Sequence, residues 1–216
     1  MQPDQLQDRL SRASGRSAII IGSLCHLHRP SNSLHPLAPS TIILQMQAAF
    51  LPPGSRLTRT PGFGEVTWQG VFDAAYTKAG DLLSRASDNA VFFVAAQPPL
   101  LHPLCVRAAR LVDISRPAAP SSAGLNTYGG AVTATDTVLA TAWPATILGI
   151  GGQGTASADI AADLQAGAWQ VLLPVSLNVG LRIGDRITDD TGRIGNIATI
   201  ELSELGWRLL VRQAST

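Results

Sequence analysis

The chain has 216 residues, and its 16 Lys and Arg nearly balance its 15 Asp and Glu, so a net charge of +1 gives no bulk pull toward nucleic acid or an anionic membrane. Charged residues make up only 14% of the chain, against about 25% in ordinary globular domains, and aromatic residues 5%. The first figure points to a surface that buries much of itself against neighbours and the second to aliphatic cores, while no apolar run reaches the roughly 18 residues of a bilayer-spanning helix.

Residues 1–16 alternate acidic, basic and Gln residues around Leu6, Leu10 and Ala13, which predicts a short N-terminal helix capped at Asp4 with one narrow apolar edge. The apolar run 17–24 follows three arginines, but Asp4 and Asp8 precede it and no small-x-small site ends it, so it reads as chain rather than as a signal peptide. Ala18 to Ile21 reads as a strand within it. Residues 29–41 hold three prolines and no acidic residue and read as a loop. Further strands are expected from Ile42, across residues 66–72 at period two, across 91–95 as a fully buried strand, and from Leu104 to Val112. Residues 116–124, RPAAPSSAG, read as a linker. Beyond it, residues 131–141 and 169–175 have strand character, and 155–165 are a helix candidate with Ile160 and Leu164 one turn apart.

The stretch 180–216 is the most structured part of the sequence. Asp189-Asp190-Thr191-Gly192 lies between two β-branched runs and signals a hairpin, since Asp and Gly tolerate positive φ. Glu204-Leu205-Gly206 is a second turn, and residues 207–212 close a small antiparallel meander. An earlier stretch has the same outline. Gly80-Asp81 parallels Gly184-Asp185, and Leu104-Cys105-Val106-Arg107 parallels Leu209-Leu210-Val211-Arg212. Asp81 precedes Arg107 by 26 residues and Asp185 precedes Arg212 by 27. Trp68-Gln69 and Trp169-Gln170 lie upstream in the same order. The pattern predicts a duplicated β unit: an N-terminal helix over 1–16, a first β unit over 17–115, a linker over 116–124, and a second β unit over 125–216. The expected fold is mainly β, two tandem small antiparallel barrels or sandwiches.

Residues that could carry chemistry are few. Gly149-Ile150-Gly151-Gly152-Gln153-Gly154 matches the glycine pattern that lets backbone amides approach a pyrophosphate, but no acidic residue ends the next strand and no further βα unit follows. Asp190-Thr191-Gly192 has the aspartic-protease tripeptide, yet occurs once and is flanked by Asp189 and Arg193, which suit a hairpin tip. Cys25, His26, His28 and His35 could approach a metal, with both rings of His26 and His28 on one strand face, but lack a second close pair. Trp68, Trp143, Trp169 and Trp207 sit in apolar surroundings and are expected in cores, with Trp169 and Trp207 largely buried. Cys25 and Cys105 read as buried free thiols, although the sequence leaves a disulfide between them open. No catalytic, cofactor-binding or metal-ligating residue is assigned, and the chain is not expected to be an enzyme.

The pattern Gly184-Asp185-Arg186-Ile187-Thr188-Asp189-Asp190, followed by a hairpin and residues 207–212, resembles the small β-barrel of tailed-bacteriophage head-completion (stopper) and related head–tail joining proteins. Gly80 to Leu83, Phe92 to Pro98 and Leu104 to Arg107 are similar to virion proteins of phages and prophages of Gram-negative hosts. The resemblance implies barrels that assemble as rings, or attach at the neck or tail of a virion assembled in the host cytoplasm. The implied partners are portal, adaptor, tail or fibre proteins, with DNA contact not indicated and no membrane. At about twice a stopper's length, the chain could instead be a tail-fibre adaptor or a minor capsid or decoration protein. The expectation from a different class is a nucleotide-binding enzyme using Gly149 to Gly154, and a third is a β-rich binding module outside any virion. Residues 29–41 and 145–155, with edge strands, are expected to order on contact with neighbours.

Overall fold

In the computed structural model, which describes residues 3–52, 66–118, 136–149 and 167–214, twelve strands close into two six-stranded antiparallel barrels. The first barrel comprises β1 (Ser23–His28), β2 (Ile42–Leu51), β3 (Thr67–Val71), β4 (Leu82–Arg85), β5 (Val91–Ala96) and β6 (Leu104–Ala108). The second comprises β7 (Arg110–Arg116), β8 (Thr137–Gly149), β9 (Ala168–Leu173), β10 (Arg186–Asp189), β11 (Ile194–Ser203) and β12 (Gly206–Gln213). Around the first ring the order is β1-β2-β3-β6-β5-β4, and around the second it is β7-β8-β9-β12-β11-β10. The connectivity is the same, so the duplication read from the sequence is a duplication of the fold. Closure also leaves these strands without the unpaired edges the sequence had suggested for partner binding.

The boundary between the units falls elsewhere than expected. β7 already belongs to the second barrel, pairing with β8 and β10, so the units divide at Ala109 and not at the Pro-rich stretch. Residues 117 and 118 follow β7; the rest of the expected linker, 119–124, lies outside the described residues, as do the helix candidate 155–165 and the glycines after Gly149. A proline-rich composition marks a connection, but only strand pairing shows which barrel the connection serves.

The N-terminal helix α1 (Pro3–Ile21) is longer than expected, and residues 18–21 are its last turn and not a strand. It ends where Gly22 N donates to Ala18 O at 2.8 Å. A Cβ on Gly22 would lie 2.9 Å from the Ala48 carbonyl, so only glycine allows the chain to turn here against β2. The helix docks through small residues: Ser11, Ser14 and Ala18 are buried, and Gly15 faces Asp73.

Period-two alternation sends Cys25, Leu27, Leu83, Phe92, Val94 and Cys105 into the first barrel, where both thiols are free and buried. The second core is built on Trp143, Trp169, Val171, Ile187, Leu209 and Val211. Trp207 is half-buried against this core, less than expected, with its Nε1 donating to Leu177 O at 3.0 Å. A third cluster joins the units. Leu82, Phe93, Ala95 and Val106 alternate with the first barrel's core residues, and they are buried with Leu37 and with Leu172 of β9 packed against them. The loop 29–41 reinforces this junction. Leu34 bridges Thr141, and Ser33 O accepts from Trp143 Nε1 at 2.6 Å. That loop is therefore ordered by its own chain, contrary to the expectation that it waits for a partner.

Candidate assembly surfaces

The strongest sequence signal, the repeated Gly-Asp, builds a turn in each barrel. Gly80 and Gly184 both have φ of +92°, a region that disfavours any side chain. Gly80 N donates to Val94 O and Val94 N to Asp81 O; Gly184 N donates to Ile197 O and Ile197 N to Asp185 O. Each Asp is buried and is clamped by an arginine at the end of its barrel's first strand. Arg29 donates to Asp81 through Nε at 2.8 Å and Nη2 at 2.6 Å, and Arg116 to Asp185 through Nε at 2.8 Å and Nη2 at 2.9 Å. A backbone amide three residues earlier, of Lys78 or Arg182, donates to the same carboxylate. With three hydrogen bonds each, two of them from an arginine fork, these carboxylates hold their turns in place. The sequence pairing of Asp81 with Arg107 and Asp185 with Arg212 missed these arginines, which lie 52 and 69 residues away.

The remaining candidates resolve in the same way. Asp189 Oδ1 accepts from the amides of Thr191 and Arg193, and its Oδ2 from Arg193 Nε at 2.8 Å, so it organises the expected hairpin. Asp190, the acid of the protease-like tripeptide, instead faces Arg110 across 3.5 Å on the surface. β8, which ends at Gly149, pairs antiparallel with β9, whereas a dinucleotide site requires a parallel βαβ unit. His26 and His28 share the outer face of β1, while Cys25 points into the core, and no metal-capable group of three occurs among the described residues.

His28 is held differently from a ligand. It is buried, with Nδ1 2.9 Å from Thr41 Oγ1 and Nε2 2.9 Å from Ser84 Oγ. The Thr41 hydroxyl proton is committed to the carbonyl of Pro36 or Ala38, at 2.8 or 2.7 Å. Thr41 therefore accepts from Nδ1–H, and Nε2 accepts from the Ser84 hydroxyl. Burial, followed by the neighbouring His26, lowers the His28 pKa below its ordinary value, so the ring is neutral and ties β1, β4 and the 29–41 loop together. A cleft of about 410 Å³ lined by Arg110, Trp169, Arg193 and Gln213 has both arginines already facing aspartates.

Among the described residues, several large apolar side chains are left uncovered. The docked face of α1 is small and polar, so the apolar edge of Leu6, Ala13 and Ile20 points away from the barrel, with Leu10 half-buried at its margin. Ile19, Ile20 and Ile21 are 71%, 84% and 57% exposed. Leu100 and Leu101, on the loop between β5 and β6, are exposed near the start of α1, where Leu100 N donates to Gln7 Oε1 at 2.6 Å. On the second barrel the β11–β12 hairpin carries exposed Leu202 and Leu205 between Glu201 and Glu204. The apolar edge was legible as a helical spacing; that it faces outward was not, because Ser and Gly give no hydropathy signal for a docking face. Comparison with protein-family models, curated proteins and solved structures gives no match to this chain.

Proposed function

We propose that this protein is a structural component of a tailed-bacteriophage particle, at the head–tail connector, neck or tail, and that it acts by assembly and not by catalysis. The observation that supports this most is the uncovered apolar edge of α1, on a helix already anchored by its other face. Three consecutive exposed isoleucines at the end of α1 form a surface of the kind that soluble proteins normally cover with a partner. Two closed barrels and a low charge fraction fit a subunit that packs against neighbours. The resemblance of the Gly184 to Asp190 turn and following hairpin to stopper-type barrels supplies the particle.

The test is incorporation. In a phage or prophage carrying the gene, the protein is expected in purified particles, and Ile20→Asp, at the most exposed of these isoleucines, is expected to reduce both incorporation and titre. Absence of the wild-type protein from intact particles overturns the proposal.

A further inference from the structure

The two barrels are equivalent strand for strand, but only the first has a helix. The loop between the fifth and sixth strands of the first barrel lies against α1, through Leu100 N and Gln7. Its equivalent in the second barrel is the hairpin between β11 and β12, and only Ala109 separates β6 from β7, where a second helix would have to begin. That hairpin carries Leu202, at 55% exposed, and Leu205, at 50%, flanked by Glu201 and Glu204. The outward edge of α1 has the complementary character. Its apolar residues run beside Arg9, Arg12 and Arg16, all exposed, with Arg12 held by Asp8 at 2.6 Å. Glu201 faces Arg208 only loosely, at 3.6 Å.

We propose that the β11–β12 hairpin of one copy docks on the outward edge of α1 of the next, placing Leu202 and Leu205 over Ala13 and Ile20, and Glu201 and Glu204 beside Arg9 and Arg16. The helix is then held between the β5–β6 loop of its own barrel and the equivalent hairpin of a neighbour. The two patches are different, so the contact is head-to-tail and propagates into a ring or filament. Pairing of two α1 edges is disfavoured on charge grounds, because an antiparallel pair places the Arg9 and Arg16 flank of one helix against the same flank of the other. The contact deepens the assembly reading above and rests on it for its setting.

The experiment uses full-length protein with single surface cysteines, Ile20→Cys in one preparation and Leu205→Cys in another; Cys25 and Cys105 are buried and leave these as the reactive thiols. Under mild oxidation the mixture is expected to form cross-linked dimers, and neither preparation alone. Sedimentation velocity of uncross-linked protein is expected to show association that Glu201→Lys with Glu204→Lys weakens at least tenfold, and that Arg9→Glu with Arg16→Glu restores when the two variants are mixed. Dimers from Ile20→Cys alone would show helix-to-helix pairing and overturn the proposal. So would a wild-type protein that sediments as a monomer, or one that binds anionic phosphatidylglycerol vesicles in preference to itself. A chain that cross-links as expected but is missing from particles removes the virion reading and leaves this contact standing; a chain present in particles but never cross-linked does the reverse.

Discussion

Replacing Gly80 and Gly184 separately by Ala measures the junction between the barrels. Both residues have φ of +92° in equivalent turns, so an alanine meets the same backbone strain, about 1–2 kcal/mol, at each. Their surroundings differ. A Cβ at Gly184 meets nothing within 4 Å, whereas one at Gly80 lies 2.9 Å from both the Cβ and the backbone N of Ser176, in the other barrel. Since one of these is a backbone atom, the clash is relieved only by shifting the barrels apart. That also strains the 2.6 Å bond from Ser176 Oγ to Gly80 O and the packing of Leu172 against the cluster of Leu82, Phe93, Ala95 and Val106. Overpacking of this kind costs about 1–3 kcal/mol, so Gly80→Ala is expected to lose about 2–5 kcal/mol and Gly184→Ala about 1–2 kcal/mol. Urea denaturation, with unchanged slopes, measures both. Equal losses for the two variants would refute the claim that Gly80 sits at a tight junction between the barrels.

Stability should fall as pH drops through the imidazole range, because His28 is held neutral and its folded pKa is lowered. Its contribution is present above the unfolded value of about 6.5 and is lost at lower pH as the unfolded chain takes up the proton first; denaturation midpoints between pH 8 and 5 should show this slope, and His28→Gln should flatten it. Trp143→Ala should cost about 3–5 kcal/mol, because Trp143 is fully buried and bonded to Ser33, whereas half-buried Trp207 should cost less on truncation, and parallel denaturation curves give the order. Deleting residues 31–38 removes the Leu34 bridge to Thr141 and the Ser33 acceptor, so it should lower the melting temperature, not leave the barrels untouched; an unchanged melting temperature would show that the loop does not tie them.

The sequence by itself determined the local turns and the face periodicity of many strands. Asp189 to Gly192 and Glu204 to Gly206 form the hairpins their residues require, and Gly80 and Gly184 take the positive φ that glycine tolerates. It also disclosed the duplication, because both copies must solve the same turn. The register of the last strands was decided only in three dimensions. Sequence similarity pairs Arg107 with Arg212, but Trp68 faces Cys105 across its ladder and Trp169 faces Val211, so Val106 is the equivalent of Arg212. A slip of one residue exchanges the two faces of a strand, and the connections between the fifth and sixth strands differ in length, which similarity over four residues cannot register. The consequence is physical. On the outer face of the first barrel Val106 is buried beneath the second barrel, while the equivalent Arg212 stands in solvent. Likewise the arginine that clamps each buried aspartate comes from far along the chain, where nothing local specifies it. Local conformational preference is written residue by residue, whereas the choice of a distant partner follows from which surfaces the closed barrels bring together.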